Sequence, residues 1–287
     1  MARRFKILTG LSTIAVTGAL ALSGCGAEGA PASNSAVLPA QGEGEGEGAP
    51  PAPAATPAPV AILAAASTEG EGGVDIAAAS RDPVVFGSAL AIAEAHVLAA
   101  RDAYAAGRAE EAASMFAHPV SEVLADMEGA FIARGVVPFN ELFIDASAAV
   151  LEAESVDAIA VRTGNIIAAL RVAGNKAPDN GASKAAIAVG VTADQVERAV
   201  DMYRLAASSG EYGPYLDGYG FYKAAQSSFE RGKTAIDAEN PDAAGTIAAA
   251  LAALAAAYPA ATAPSAIDAD IAGLSAASSR VMLSTRR

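Results

Sequence analysis

The sequence predicts an all-α fold: an antiparallel helical bundle, or a stack of helical hairpins, behind a disordered N-terminal tether. Three observations predict it. Alanine dominates the apolar residues, Trp is absent and aromatics are 5 %. Alanine is the best helix former but fills little core volume, so its helices must approach one another closely. Apolar positions from Pro83 onward recur at helical spacing while strand patterns are nearly absent, and short Gly, Pro and Asn interruptions between the periodic stretches imply antiparallel neighbours.

The chain begins with an export pattern over residues 1–24. Arg3, Arg4 and Lys6 form a basic start, Ile7 to Leu22 run without charge, and the run ends in small residues. It is too short and interrupted for a stable spanning helix. Leu22-Ser23-Gly24-Cys25 resembles the lipobox of bacterial lipoproteins. The resemblance implies diacylglyceryl attachment to Cys25, cleavage after Gly24 and acylation of the new amino terminus. The partner it implies is a lipid bilayer. Gly26 stands where a retained lipoprotein would carry Asp, which by the same resemblance favours the outer membrane, with the chain facing the periplasm.

Residues 25–82 read as an acidic tether. Gly42 to Gly48 alternate with Glu, Ala49 to Pro59 is rich in Pro and Ala, and Glu69 to Gly73 repeats the Gly-Glu theme. Such a composition resists collapse. The domain is then expected over residues 83–287. Pro83 suits the first helical position of a helix over 84–106, and Gly107 suits its end. A second helix is expected from about 109, with a break or kink at His118-Pro119, because the residue before proline is pushed out of the α region. Further helices are predicted over 120–133, 139–154, 156–173, 192–208, 215–238, 242–257 and 265–283. Thr192 and Gln195 fit a capping box, and Gly190 reads as the interruption before them. The first hairpin resembles one tetratricopeptide repeat at Ala103-Tyr104, Gly107, Ala112, Phe116 and Pro119. No later segment repeats it at that family's period, so a repeat array is not expected.

The formal charge is −13, and removing the three cations of the leader takes it to −16. That balance argues against a nucleic-acid partner. Cys25 is the only cysteine. With it acylated, disulfides, cysteine-ligated zinc, iron–sulfur clusters and thiol nucleophiles are excluded. No phosphate-cradling loop, Gly-x-Ser-x-Gly or His-Glu-x-x-His occurs, so a non-catalytic binding or scaffold domain is expected.

Two groups of residues carry candidate chemistry. His96 and His118, the only histidines, each lie eleven residues from Gly107. In a hairpin turning at Gly107 they sit level, and Glu122 follows His118 by one turn if the helix continues through Pro119. Two imidazoles and a carboxylate suit a divalent transition metal, or a haem-handling site; packing and capping roles are the alternative. The second group is aromatic: Tyr203, Tyr212, Tyr215, Tyr219 and Tyr222. These rings offer either a surface for a small ligand or envelope protein, or the bulk that alanine cannot supply to a core. In general architecture the chain resembles exported helical metal-handling proteins of the imelysin type, though their Gly-x-His-x-x-Glu motif is absent. The segments His118-Pro119-x-x-Glu122 and Tyr219-Gly220-Phe221 look like those of an uncharacterised family of exported helical bacterial proteins, which implies no activity.

Overall fold

The computed structural model describes residues 73–285. The leader, Cys25 and the expected tether up to residue 72 lie outside them. Among the described residues the regular structure is helical, with no β-strand, as the alanine content and periodicity predict. In chain order the elements are α1 (Ile76–Ala79), α2 (Pro83–Ala105), α3 (Ala109–Pro119), a π-helical turn (Val120–Leu124), α4 (Ala125–Ala133), α5 (Asn140–Leu151), α6 (Val156–Gly174), α7 (Lys184–Ser209), α8 (Tyr212–Glu239), α9 (Pro241–Ala257) and α10 (Ile271–Ser284).

Packed structure starts before Pro83. Asp75 caps α1 by accepting from the Ala78 amide at 2.9 Å, and Val74 and Ala79 are buried in the core. Asp82 then caps α2 by accepting from the Val84 amide at 2.7 Å, with Pro83 at the first helical position. These two carboxylates stabilise the exposed amides at the helix starts, each by about 1 kcal/mol.

Helix α2 is the centre of the bundle. By length and apolar composition it could cross a membrane, yet 83 % of its apolar window is buried by other helices. α3, α6, α7 and α8 all pack against it. Alanine is its commonest residue between Phe86 and Ala103, with Leu, Ile and Val among the rest, and that small size brings its neighbours in close. The limit is reached where α8 crosses it. A Cβ on Gly220 would lie 2.5 Å from the Ala95 carbonyl oxygen and 3.1 Å from Ala99 Cβ.

Three expectations are corrected. α7 begins at Lys184, capped by Ser183, rather than near Thr192. Gly190 is therefore interior: its missing Cβ admits Val84, whose Cγ1 would stand 2.6 Å from one. Thr192 and Gln195, read as a capping box, are buried within the helix. The chain does not break at His118-Pro119 either. α3 runs on into the π-helical turn, closed by the Ala125 amide on the Val120 carbonyl. The wider i→i+5 ring accommodates a proline that has no amide to give. Finally, α10 starts at Ile271, later than the predicted 265, because the preceding stretch stays irregular.

Gly220→Ala is expected to lower the stability of the fold by about 3 kcal/mol, since the crossing backbone of α2 cannot yield to an added methyl. Gly245→Ala, on an exposed turn of α9 with no atom within 4 Å of the added Cβ, is expected to raise stability by about 0.5–1 kcal/mol. Urea unfolding of the two variants checks the opposite signs.

Candidate metal centre

The hairpin of α2 and α3 turns at Gly107, which adopts φ +81°. The level placement inferred from the sequence is what the fold contains: the rings of His96 and His118 stand edge to face, with centroids 5.8 Å apart. Because the chain continues helically past Pro119, Glu122 comes to the same point. Single donor atoms of His96, His118 and Glu122 all lie within 4.8 Å of one another.

Each ring has one nitrogen engaged away from this point. His96 Nδ1 donates to the Ile92 carbonyl at 2.8 Å. A carbonyl can only accept, so in the neutral ring Nε2 carries a bare lone pair. That nitrogen faces Glu122 Oε2 at 3.7 Å and Asp217 Oδ1 at 3.8 Å. His118 Nε2 is bonded to Ser114 Oγ at 2.9 Å, and its Nδ1 faces Glu122 Oε1 at 3.7 Å. Two donors held about 2.1 Å from one ion can be at most about 4.2 Å apart. The His96–Glu122, His96–Asp217 and His118–Glu122 separations fall inside that limit, and none is close enough for a hydrogen bond. The His96, His118 and Glu122 donors as a set reach up to 4.8 Å, so a shared ion would draw them together by a few tenths of an ångström.

Asp217 was missed by the sequence reading. It lies on α8, a hundred residues downstream in a tyrosine-rich run, and reaches the histidines only because α8 crosses α2 at Gly220. Its Oδ1 is buried with no hydrogen-bond partner. Glu94 and Asp102, also close in sequence, are engaged elsewhere: Glu94 by Arg171 and Ser227, Asp102 by Arg101 and Tyr219.

His96, Glu122 and Asp217 line a cleft of about 330 Å³, with Ile92, Met202 and Phe221 as apolar wall and Arg198 and Asp201 at its side. His96 is 6 % exposed; His118 and Glu122 are each 35 % exposed. The centre is thus dry on the α2 side and wet on the α3 side. Burial pulls the His96 pKa below the ordinary imidazole value, against the Ile92 carbonyl and Glu122, which raise it. Burial pushes Asp217 the other way, up to about 6 from an ordinary 3.8, with His118 opposing.

The tyrosines are placed differently from a binding face. Tyr203, Tyr215 and Tyr219 are buried, and Tyr212 and Tyr222 are half-buried. Four of the five hydroxyls are engaged within the fold. Tyr212 and Tyr215 donate to the Ala261 and Ala260 carbonyls, Tyr219 donates to Asp102, and Tyr203 accepts from the Ala269 amide. Tyr222 stacks on Tyr258. They fill volume that alanine leaves and pin the irregular segment before α10, so the partner-surface reading of Tyr203, Tyr215 and Tyr219 is withdrawn.

No protein-family model, curated protein or solved structure matches the chain.

An acid whose pKa is raised on folding stabilises the fold below its unfolded pKa and loses that contribution as pH rises through the folded value. For Asp217 the window is pH 3.8 to about 6. Asp217→Asn is therefore expected to stabilise the metal-free protein at pH 7.5 by about 1–2 kcal/mol, discounted from about 1.4 kcal/mol per unit for its partial exposure. The gain should shrink toward zero near pH 4. Unfolding curves of both proteins at the two pH values measure it.

Proposed function

We propose that this protein is a metal-binding lipoprotein of the cell envelope, holding one divalent transition-metal ion through His96, His118, Glu122 and Asp217. One observation carries the reading. The bare Nε2 of His96 faces two carboxylates at 3.7 and 3.8 Å, with its other nitrogen already committed. Three acceptors turned on one another in a partly dry cleft repel unless a proton or a metal cation is shared between them, and a metal ion can satisfy all of them at once. The low pKa of His96 favours the neutral, ligating ring. The raised pKa of Asp217 records the cost of keeping its charge there without a partner.

Two imidazoles with one or two carboxylates suit zinc or ferrous iron better than calcium or magnesium. The Ile92 carbonyl and Ser114 hydroxyl supply the outer hydrogen bonds that orient ligating histidines. The exposed side at His118 and Glu122 leaves room for water or an exchanging ligand, which fits capture and release better than a closed structural site. The donors converge on a point rather than flanking a flat slot, which favours an ion over a haem. Leu22 to Cys25 supports the membrane anchor, and Gly26 supports the outer membrane, where such a domain would meet metal in the periplasm.

The purified protein titrated calorimetrically with zinc, and spectroscopically with cobalt(II), is expected to bind one ion. Affinity should rise with pH through about 6, as Asp217 gives up its proton. His96→Ala with His118→Ala should weaken binding by about 100-fold or more. Unchanged affinity in that double variant, or no binding below millimolar metal, would overturn the metal reading.

The anchor has its own check. Mass spectrometry of the mature amino terminus should find an acylated Cys25, and Cys25→Ser should leave an uncleaved precursor. A free terminus at any other residue excludes the lipoprotein.

A further inference from the structure

Glu94 is the second ionisable residue buried in α2, 1 % exposed and two positions from His96. It accepts from Arg171 of α6 and, at 2.7 Å, from Ser227 of α8; Arg231 of α8 approaches the same carboxylate at 3.4 Å. One carboxylate therefore lies under two guanidinium groups, from helices on either side of α2.

Those two helices bound a groove. α6 packs on α2 and α5, while α7 and α8 pack along each other and on α2. Between the two walls, α2 forms the floor of a cavity of about 490 Å³. That volume falls in the ordinary range for a small-ligand pocket. Leu90, Leu170, Ile187 and Val191 make the surface apolar, and Arg171, Arg231 and Lys184 border it. Lys184 is exposed and has no hydrogen-bond or ion-pair partner among the described residues. Among the described residues Arg171 donates only through Nη2, so its remaining N–H groups are available to a further acceptor.

Three cations against one buried carboxylate give this groove an excess of positive charge on a chain whose formal charge is −13. Burial depresses the Arg231 pKa, with the like charge of Arg171 adding to the effect and Glu94 opposing it. An anion at the groove would relieve both, and the apolar walls would take a hydrocarbon tail. The metal centre does not share these residues. It lies beyond the point where α8 crosses α2, at Asp217 rather than at Ser227 and Arg231.

We propose that the groove between α6 and the α7–α8 pair binds a single-chain anionic amphiphile, its head on Arg171, Arg231 and Lys184 and its tail along Leu90, Leu170, Ile187 and Val191. The shared chemistry of the head is a carboxylate or a phosphate monoester. Both make paired hydrogen bonds to guanidinium groups.

The test uses the chain expressed without residues 1–24 and carrying Cys25→Ser, so that neither a leader nor an attached acyl chain competes; the change lies outside the described residues. Octanoate and octyl phosphate, below their micellar concentrations, are titrated calorimetrically, with octanol as a head-free control. Saturable one-to-one binding of either anion is expected, weakening with added salt, and the tighter of the two identifies the head. Lys184→Gln, which removes no hydrogen bond or ion pair among the described residues, should weaken binding by about 3–5-fold, and Arg231→Gln by about 10-fold, with helicity unchanged by circular dichroism. The His96→Ala, His118→Ala double variant should bind the amphiphile as before, so this site and the metal centre fail or stand separately. Octanol binding as tightly as the anions, no saturable binding of either anion, or unchanged affinity in the Lys184→Gln, Arg231→Gln double variant would overturn the proposal.

Discussion

The enclosure of α2 is the constraint on which the rest of this structure depends. A helix apolar enough to enter a bilayer is surrounded by four others, and only small side chains allow that many neighbours around one axis. Alanine at Ala95, Ala99 and Ala100, met by Gly220 on α8 and by Gly190 on α7 near Val84, sets the spacing between helices. The same choice creates a deficit. Small residues bury little area each, so the bulk is concentrated in a few rings, with Phe86, Phe116, Phe143, Tyr203, Tyr215 and Tyr258 among the largest fully buried side chains.

Within that apolar helix two ionisable residues are buried, and both look outward to polar sites. Glu94 and His96 are two positions apart, so their side chains leave the axis on nearly opposite sides. α8 crosses between the consequences of that divergence. Before the crossing at Gly220 it presents Asp217 to His96, and beyond it presents Ser227 and Arg231 to Glu94. Glu94 is satisfied by its neighbours, and its charge ties α2 to α6 and α8. His96 is not: among the described residues its free nitrogen faces two carboxylates at beyond hydrogen-bond distance. That contrast on one helix separates a structural carboxylate from a candidate binding residue.

The centre at His96 carries a stability cost that a purely structural cluster would avoid. A half-buried carboxylate with one buried, unpartnered oxygen, next to a neutral imidazole, weakens the metal-free fold at neutral pH. A cation held there, as proposed, would reverse that sign by supplying the missing partner to each donor. The π-helical turn at Val120–Leu124 belongs to the same arrangement. It lets Pro119 sit inside a continuous helix and so holds Glu122 near His118, and π turns are frequent where function needs a helix face adjusted.

Local chemistry determined much of this protein by sequence alone. Alanine content and apolar spacing dictate helices, Gly107 dictates the first turn, and the equal distances from it place His96 and His118 level, because a helical hairpin is a short-range object. What depended on distant contacts was decided by tertiary structure. Gly190 is indistinguishable by local pattern from a helix break until Val84 is seen against it, and Thr192 with Gln195 imitates a cap that the helix runs through. The tyrosines admit both a core and a surface reading by sequence, the core reading being the favoured one, and the alanine helices around them show the volume they fill. Asp217 joins the candidate metal centre only because α8 crosses α2 at a glycine, and no spacing along the chain encodes a crossing between helices about a hundred residues apart.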